Sequence, residues 1–188
     1  MPNDVTNTNA AILTLDSDAV LETAQSKADF IWHDIQNAYR TRKILTGTLG
    51  GIEKTEAGNL IAVIYYKEFR AVIPITEMMI NLLQDEAHDY GSLSLRQNKV
   101  LNNMLGCEID FVIKGLDTKS RSIVASRKDA MLKKRQIFYL DQDVSGQTKV
   151  YVDRIVQARV IAVAEKVVRA EIFGIETSIP ARDLSFDW

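Results

Sequence analysis

The chain has 188 residues, 46% of them apolar, and a formal net charge of −2, which suffices for one packed globular domain or two small ones. No apolar run reaches the roughly 18 residues that a membrane helix requires, and the N-terminal segment has neither the basic start nor the apolar stretch of a signal peptide. We therefore expect a soluble, cytoplasmic protein with no membrane partner. The single cysteine, Cys107, excludes an internal disulfide and is interpreted as a small buried hydrophobe.

The charges are segregated along the chain although they nearly cancel overall. Residues 1–40 hold six acids and two bases, whereas residues 107–135 hold eight bases and four acids. The first segment therefore carries −4 (2 − 6) and the second +4 (8 − 4). A basic segment of this kind is a candidate contact for a polyanion such as nucleic acid.

Residues 1–42 are predicted to be a polar tail followed by an amphipathic helix over 17–40. The apolar positions recur at spacings of three and four, and Asp16 or Ser17 can cap the start of the helix. Trp32 and Tyr39 flank this stripe and are interpreted as packing residues, while His33 is interpreted as a surface residue. The stripe, which requires a partner surface, consists of Val20, Ala24, Ala28, Ile31, Ile35 and Ala38.

Residues 43–135 show the pattern of a five-stranded domain with a helical insertion at 76–105. Three strands are predicted in "KILTGTLGGIEK", "LIAVIYY" and "FRAVIPI", separated by the turns "EAGN" and "KE". Two helices separated by a "GSLS" break follow, then the strands "CEIDFVIKGLD" and "SRSIVASRK", and then a basic helix from about 129 to 138. Five strands with a helix between the third and fourth are typical of the OB-fold barrel, so the predicted class is mainly β with helices.

A second, incomplete copy of this pattern is predicted at 154–188, after a helix end and linker at 136–153. Placing Pro180 on Pro74 aligns "VRAEIFGIETSIPARDL" with "AVIYYKEFRAVIPITEM", which indicates an internal duplication. The second copy contains the first three strands and lacks the last two, which would leave open sheet edges. We expect either that the sequence is a piece of a longer protein, which is the favoured interpretation, or that another element or subunit covers the edge.

The segments "TGTLGGIEK", "AVIPITEM" and "IVASRKDAM" resemble, in this order, the S-one motif, the RNA-binding repeat of the largest protein of the bacterial small ribosomal subunit. The resemblance covers residues 43–132 as a complete domain and 154–188 as a partial one. It implies a non-enzymatic, ribosomal-protein-like partner of single-stranded RNA, such as mRNA or RNA on the ribosome. Bases would stack on aromatic residues of strands two and three, and cations would contact phosphates.

The resemblance places its usual stacking positions on Asn59, Ala62 and Pro74, none of which is aromatic, and its acid–base pair on Asp117 and Arg121. Strand alternation predicts Tyr66 on the outer face with Ala62 and Ile64, and Tyr65 inside the barrel. For Phe69 the sequence favours two alternatives about equally, a position on the rim of the barrel and a position in its interior. The complete set of predicted RNA-binding residues is Tyr66, Lys67, Phe69, Arg70, Lys114, Asp117, Lys119, Arg121, Arg127 and Lys128.

Other chemistry has little support in the sequence. Asp85, Glu86, His88 and Asp89 are interpreted as a solvated acidic helix face, and no catalytic constellation, metal site or cofactor site is predicted. The alternative function is a protein-assembly or adaptor module that has lost nucleic-acid binding and holds a partner, or a second copy of itself, through the helix 17–40. A further alternative is an accessory module of a larger nuclease or polymerase.

Overall fold

The computed structural model describes residues 24–80 and 90–184 of the chain. Within them it shows a mixed α/β fold with an N-terminal helix, a closed five-stranded sheet and a separate three-stranded sheet. The predicted helix cap at Asp16 or Ser17 and the predicted acidic helix face at 85–89 lie outside the described residues. No helix in the described ranges is long and apolar enough to cross a membrane.

The first five strands close into a barrel in the order β1-β2-β3-β5-β4, in which only the β3–β5 pair is parallel. Bulges at Leu49/Gly51 and Ile113/Gly115 interrupt the ladders and help the sheet to curve. Gly47 allows β1 to approach β2, because a Cβ atom there would lie 2.7 Å from the carbonyl oxygen of Tyr65. The strands are β1 (Leu45–Lys54), β2 (Leu60–Tyr66), β3 (Phe69–Pro74), β4 (Glu108–Asp117) and β5 (Ser122–Ser126).

Two helices close the ends of this barrel. Helix α1 (Ala24–Thr41) lies across the end that carries the β2–β3 and β4–β5 turns, and buries Trp32, Ile35 and Ala38 in the barrel core. Helix α2 (Tyr90–Asn103) belongs to the connection between β3 and β4 and contributes Leu101 to the same core. The described part of the apolar stripe of α1 therefore packs against the barrel core, with Ile31 partly buried.

Helix α2 corrects one predicted boundary. The "GSLS" segment at 91–94 was predicted to break the chain between two helices, but it lies within α2. Glycine and serine weaken a helix by only about 1 kcal/mol or less per residue, which tertiary packing overrides. The short 3₁₀ helix Ile75–Glu77 directly after β3 is the other described helical element of the predicted insertion.

The second sheet repeats strands β2 and β3 of the barrel at an offset of 106 residues. Pro74 and Pro180 each end a strand and precede a 3₁₀ helix, and both have φ of −57°. Lys67 and Phe173, at equivalent turns, both have positive φ, 53° and 46°. The strands β6, β7 and β8 form an antiparallel meander whose outer edges pair with no other strand of the described residues, as the duplication predicts. They span Arg159–Val163, Val167–Ile172 and Ile175–Pro180.

Helix α3 (Arg127–Arg135) and the π-helix Gln136–Leu140 connect the barrel to the second sheet. Ser126 caps α3 by accepting a hydrogen bond from the Asp129 amide at 3.0 Å. The rings of Phe138 and Phe173 stack with centroids 4.1 Å apart. A Cβ atom on Gly174 would lie 2.3 Å from the carbonyl oxygen of Met131, so the turn before β8 rests directly on the α3 backbone. The second sheet is thus docked on α3.

Candidate nucleic-acid interface

The outer face of β2 and β3 carries an exposed aromatic side chain, Tyr65, with 51% of its surface in solvent. Arg70 is its neighbour across the β2–β3 ladder, and Val63 and Val72 form the adjacent pair on the same face. The Tyr65 ring, the half-buried Val72 side chain and the Arg70 guanidinium therefore lie side by side, while Val63 is buried beneath them. This combination suits the unpaired bases and the phosphates of a single-stranded nucleic acid.

The predicted orientation of the two tyrosines was wrong. Ala62 and Ile64 are fully buried in the barrel core, and Tyr66 packs against the same core with its ring edge-on to Phe111 at 6.1 Å between centroids. Tyr65 consequently points outward. The sequence "LIAVIYY" is apolar on both faces, so its alternation defines two faces without indicating which of them is inside.

Tyr65 is positioned by a glycine on the neighbouring strand. A Cβ atom on Gly50 would lie 2.2 Å from Tyr65 Cε2 and 2.3 Å from Tyr65 Cδ2, so the phenol ring occupies space that any other side chain would fill. The ring is therefore held against the β1 backbone before any ligand arrives. Because its rotamer is already restricted, stacking a base on the exposed part of the ring costs little side-chain entropy.

The guanidinium of Arg70 is neutralised by an acid on the same face. Arg70 Nη2 donates to Glu53 Oε2 at 2.6 Å, and both side chains are about half exposed. Glu53 belongs to β1 and Arg70 to β3, so the ion pair spans β2 above Val63, which is only 2% exposed. A phosphate that binds Arg70 must therefore compete with the Glu53 carboxylate.

Lys67 and Arg121, two predicted RNA contacts, are each paired with an acid of helix α1. Lys67 Nζ lies 3.7 Å from Asp34 Oδ2, and Arg121 Nη2 donates to Asp29 Oδ1 at 2.6 Å. All four side chains are close to half exposed, so each pair is worth at most about 1 kcal/mol. Acidic residues of α1 thus pair with cations of the β2–β3 and β4–β5 turns. The sequence did not reveal these pairs.

Phe69 lies inside the fold, beneath α1. Its ring is tilted against Trp32 with centroids 5.4 Å apart, and the Arg121 guanidinium lies 5.9 Å from the centre of the Trp32 ring. Both rings are buried. Phe69 is therefore a packing residue between the barrel and α1, and it offers no face to a nucleotide base.

Asp117 shapes the β4–β5 turn. Its carboxylate accepts hydrogen bonds from the Ser120 hydroxyl at 2.6 Å and the Lys119 amide at 3.0 Å, and these two bonds hold the pKa of Asp117 below its ordinary value. Arg121, the basic residue that the resemblance places beside Asp117 at this turn, bonds to Asp29 of α1. Asp117 thus stabilises the conformation of the β4–β5 turn. Lys119, within the same turn, is exposed.

Arg127 is not available to RNA, contrary to the prediction. Its side chain is fully buried between the barrel and the second sheet, with Nη2 lying 2.7 Å from Glu176 Oε1 and 3.2 Å from Glu171 Oε2. It also donates to the carbonyl oxygen of Met78 at 3.1 Å. Arg127 directly follows β5 and opens α3, and only the docking of the second sheet makes this position internal. The adjacent Lys128 is exposed.

Asp110 extends this buried cluster onto β4. Its carboxylate is 3% exposed, bonds to Lys134, accepts from the Thr46 hydroxyl at 2.6 Å and lies 3.0 Å from Arg159. Burial raises the pKa of Asp110, but the bonds from Lys134, Thr46 and Arg159 outweigh it and bring the pKa below the ordinary value. The ionised form is therefore stabilised by folding.

The lowered pKa of Asp110 predicts a pH-dependent stability. Its contribution is complete above the unfolded-state pKa of about 3.9 and is lost as the pH falls through the lower folded-state value. Asp110→Asn is expected to lower the free energy of unfolding at pH 7 and to weaken the acid-induced loss, as measured by urea unfolding at pH 7 and pH 3. The exposed Asp183→Asn serves as the control. An acid-induced loss in Asp110→Asn as large as in the wild type would contradict this assignment.

The predicted residues thus fall into separate groups. The barrel end covered by α1 holds Tyr66, Lys67, Phe69 and Arg121, and Arg70 joins Tyr65 on the β2–β3 face. The β4–β5 turn contains Asp117 and Lys119. Lys128 belongs to α3, Lys114 of β4 pairs with Asp129 of that helix, and Arg127 is internal. Sequence reasoning missed Tyr65 and its support. The available signal was Gly50, since a glycine within a strand often marks the close approach of another group.

No group of three or more histidine, cysteine or acidic residues within the described ranges is arranged to hold a metal ion. Comparison with protein-family models finds no match to this chain, and comparison with curated proteins finds none either.

Proposed function

We propose that this protein binds single-stranded RNA in the cytoplasm without catalysing a reaction, and that its barrel is an OB fold related to the S-one motif. On this proposal the second sheet corresponds to the first three strands of another such barrel. The observation that carries the proposal is Tyr65, an exposed ring held on Gly50. It stands on the strands that OB folds use for oligonucleotides.

The geometry supports modest rather than tight binding. Stacking of one base on an aromatic ring contributes roughly 1–3 kcal/mol. Arg70, Lys67 and Arg121 are each engaged by a carboxylate of the same chain, so phosphates gain less from them than from unpaired cations. The ring is therefore expected to supply much of the affinity at this face.

Replacing Tyr65 tests the proposal directly. Tyr65→Ala is expected to weaken binding of an unstructured RNA oligomer by about 5- to 150-fold, which corresponds to the loss of one stacked base. Tyr65→Phe retains the ring and should retain most of the affinity. Fluorescence anisotropy with a labelled RNA at low salt measures both variants.

Tyr151→Ala is the matched control, because this tyrosine is about as exposed as Tyr65 but lies in the segment before β6, against Arg154. Its affinity should equal that of the wild type. Equal RNA affinity of Tyr65→Ala and the wild type would refute the role of the face.

A second candidate function is a protein-assembly module, and one observation favours it. The segment between the π-helix and β6 exposes several large aliphatic side chains, among them Val144, Val152 and Ile155. Exposed apolar residues that cluster in one segment are typical of protein contacts. A wild-type protein with no RNA affinity at low salt would favour this candidate over RNA binding.

A further inference from the structure

A cleft away from the β2–β3 face is lined by two cations, Arg42 and Lys133, that have no carboxylate partner among the described residues. The cleft lies between the end of α1, the outer face of β4 and helix α3, and its volume is about 420 Å³. This is within the usual range for ligand pockets. It is lined by Arg42, Val112, Lys114, Asp129, Leu132 and Lys133.

Backbone carbonyl groups hold two of the three cations of this cleft. Lys133 Nζ donates to the carbonyl oxygen of Arg42 at 2.9 Å, and Arg42 Nη1 donates to the carbonyl oxygen of Ile113 at 3.3 Å. A carbonyl dipole orients a cation but does not cancel its charge. Arg42 also keeps its other guanidinium nitrogens for a further acceptor, and a guanidinium suits the paired oxygens of a phosphate.

The third cation is neutralised. Lys114 Nζ donates to Asp129 Oδ2 at 2.7 Å, and this bond raises the pKa of Lys114. Among the described residues that line the cleft, Asp129 is the acid. With three cations and one carboxylate, the lining residues carry a net charge of +2 (3 − 1).

The contrast with the β2–β3 face indicates where phosphates are attracted. On that face and at the adjoining turns, Arg70, Lys67 and Arg121 each have a carboxylate within 4 Å. In the cleft, the charges of Arg42 and Lys133 are left for an anion from outside. Since uncompensated cations dominate the attraction of a polyanion, the cleft is the stronger electrostatic site.

We propose that this cleft binds phosphate groups of a nucleic-acid backbone, separately from the ring of Tyr65. The inference rests on the proposed function only for the identity of the ligand as RNA. Arg42 and Lys133 contact the phosphates, whereas Lys114 stays paired with Asp129. Val112 and Leu132 form the apolar wall of the cleft. The cleft supplies sequence-independent, salt-sensitive affinity, while the β2–β3 face contacts bases.

Salt-dependent titration of the full chain tests the cleft. The double variant Arg42→Gln with Lys133→Gln is expected to make the negative slope of log affinity against log salt shallower by about 1.4. Each phosphate contact on a single strand contributes about 0.7 to the steepness of that slope. The loss should be similar for oligomers of different sequence and for inorganic polyphosphate. Arg182→Gln is the control and should leave the slope unchanged, because Arg182 is an exposed arginine in the 3₁₀ helix Ala181–Asp183 after β8.

A gain of charge keeps the test decisive if the double variant folds poorly. Leu132→Lys places a further cation at the partly exposed wall of the cleft and should steepen the slope by about 0.7. An unchanged slope in both variants would overturn the proposal. Poly-glutamate that competes as well as polyphosphate would overturn the assignment to phosphate and indicate an acidic protein partner.

The two proposals fail in different ways. If polyphosphate binding requires Arg42 and Lys133 while RNA affinity is indifferent to Tyr65→Ala, the cleft stands and the base-binding face does not. If RNA affinity depends on Tyr65 while the charge variants keep the wild-type salt slope, the face stands and the cleft does not.

Discussion

Arg127→Met is expected to lower the free energy of unfolding by about 3–5 kcal/mol, the largest effect of any single change to the ion pairs described. The substitution leaves Glu171 and Glu176 without their shared guanidinium partner. Glu171 is 3% exposed, so water cannot replace the lost bonds. Met fills a similar volume, so the loss comes mainly from the missing guanidinium charge. Lys134, 3.3 Å from Glu171, and Arg169, 3.0 Å from Glu176, replace that charge only in part.

Urea unfolding of the wild type and of Arg127→Met measures this effect, and hydrogen exchange locates it. Amides of β7 and β8 should lose protection before those of the barrel, because Arg127 links α3 to both strands. Adding Glu171→Gln and Glu176→Gln to Arg127→Met should recover part of the stability, since the charges are then removed together.

Arg182→Met provides the comparison, because the Arg182 side chain is 83% exposed and its substitution should change stability by less than about 0.5 kcal/mol. A loss below about 1 kcal/mol in Arg127→Met would show that the glutamates remain solvated and that the second sheet does not depend on this contact.

Trp32→Ala is expected to destabilise the protein by about 3–5 kcal/mol, since it removes a large buried ring from the junction of α1 and the barrel. The ring is 6% exposed and contacts Phe69 on one side and the Arg121 guanidinium on another. Its loss leaves a cavity that the curved sheet cannot close. Thermal or urea unfolding reports the change.

Phe30→Ala is the matched control for Trp32→Ala, because Phe30 lies on the same helix with 69% of its surface in solvent. Its stability should stay close to that of the wild type. The comparison also separates two roles for α1. If α1 bound a partner, the substitution would lower the mass measured by sedimentation while each chain kept its stability. If α1 closes its own barrel, the substitution lowers the stability of the monomer.

The sequence by itself determined the strands, the turns and the duplication. Alternation and turn residues place the five barrel strands within two residues of the observed bounds, and the two-residue turn after Tyr66 follows from "KE". The repeated proline of Pro74 and Pro180 marks equivalent strand ends. These features are local, because backbone geometry and turn chemistry act over a few residues.

Only the tertiary structure decided which of these side chains are exposed and which are buried or paired with an acid. The face of β2 that turns inward depends on what packs beneath it, so the exposed ring is Tyr65 and not Tyr66. Arg127 became internal when the second sheet docked on α3, and Lys67 and Arg121 were neutralised by acids about 30 and 90 residues earlier in the chain. Burial and charge compensation arise from contacts distant in sequence, and no local pattern encodes them.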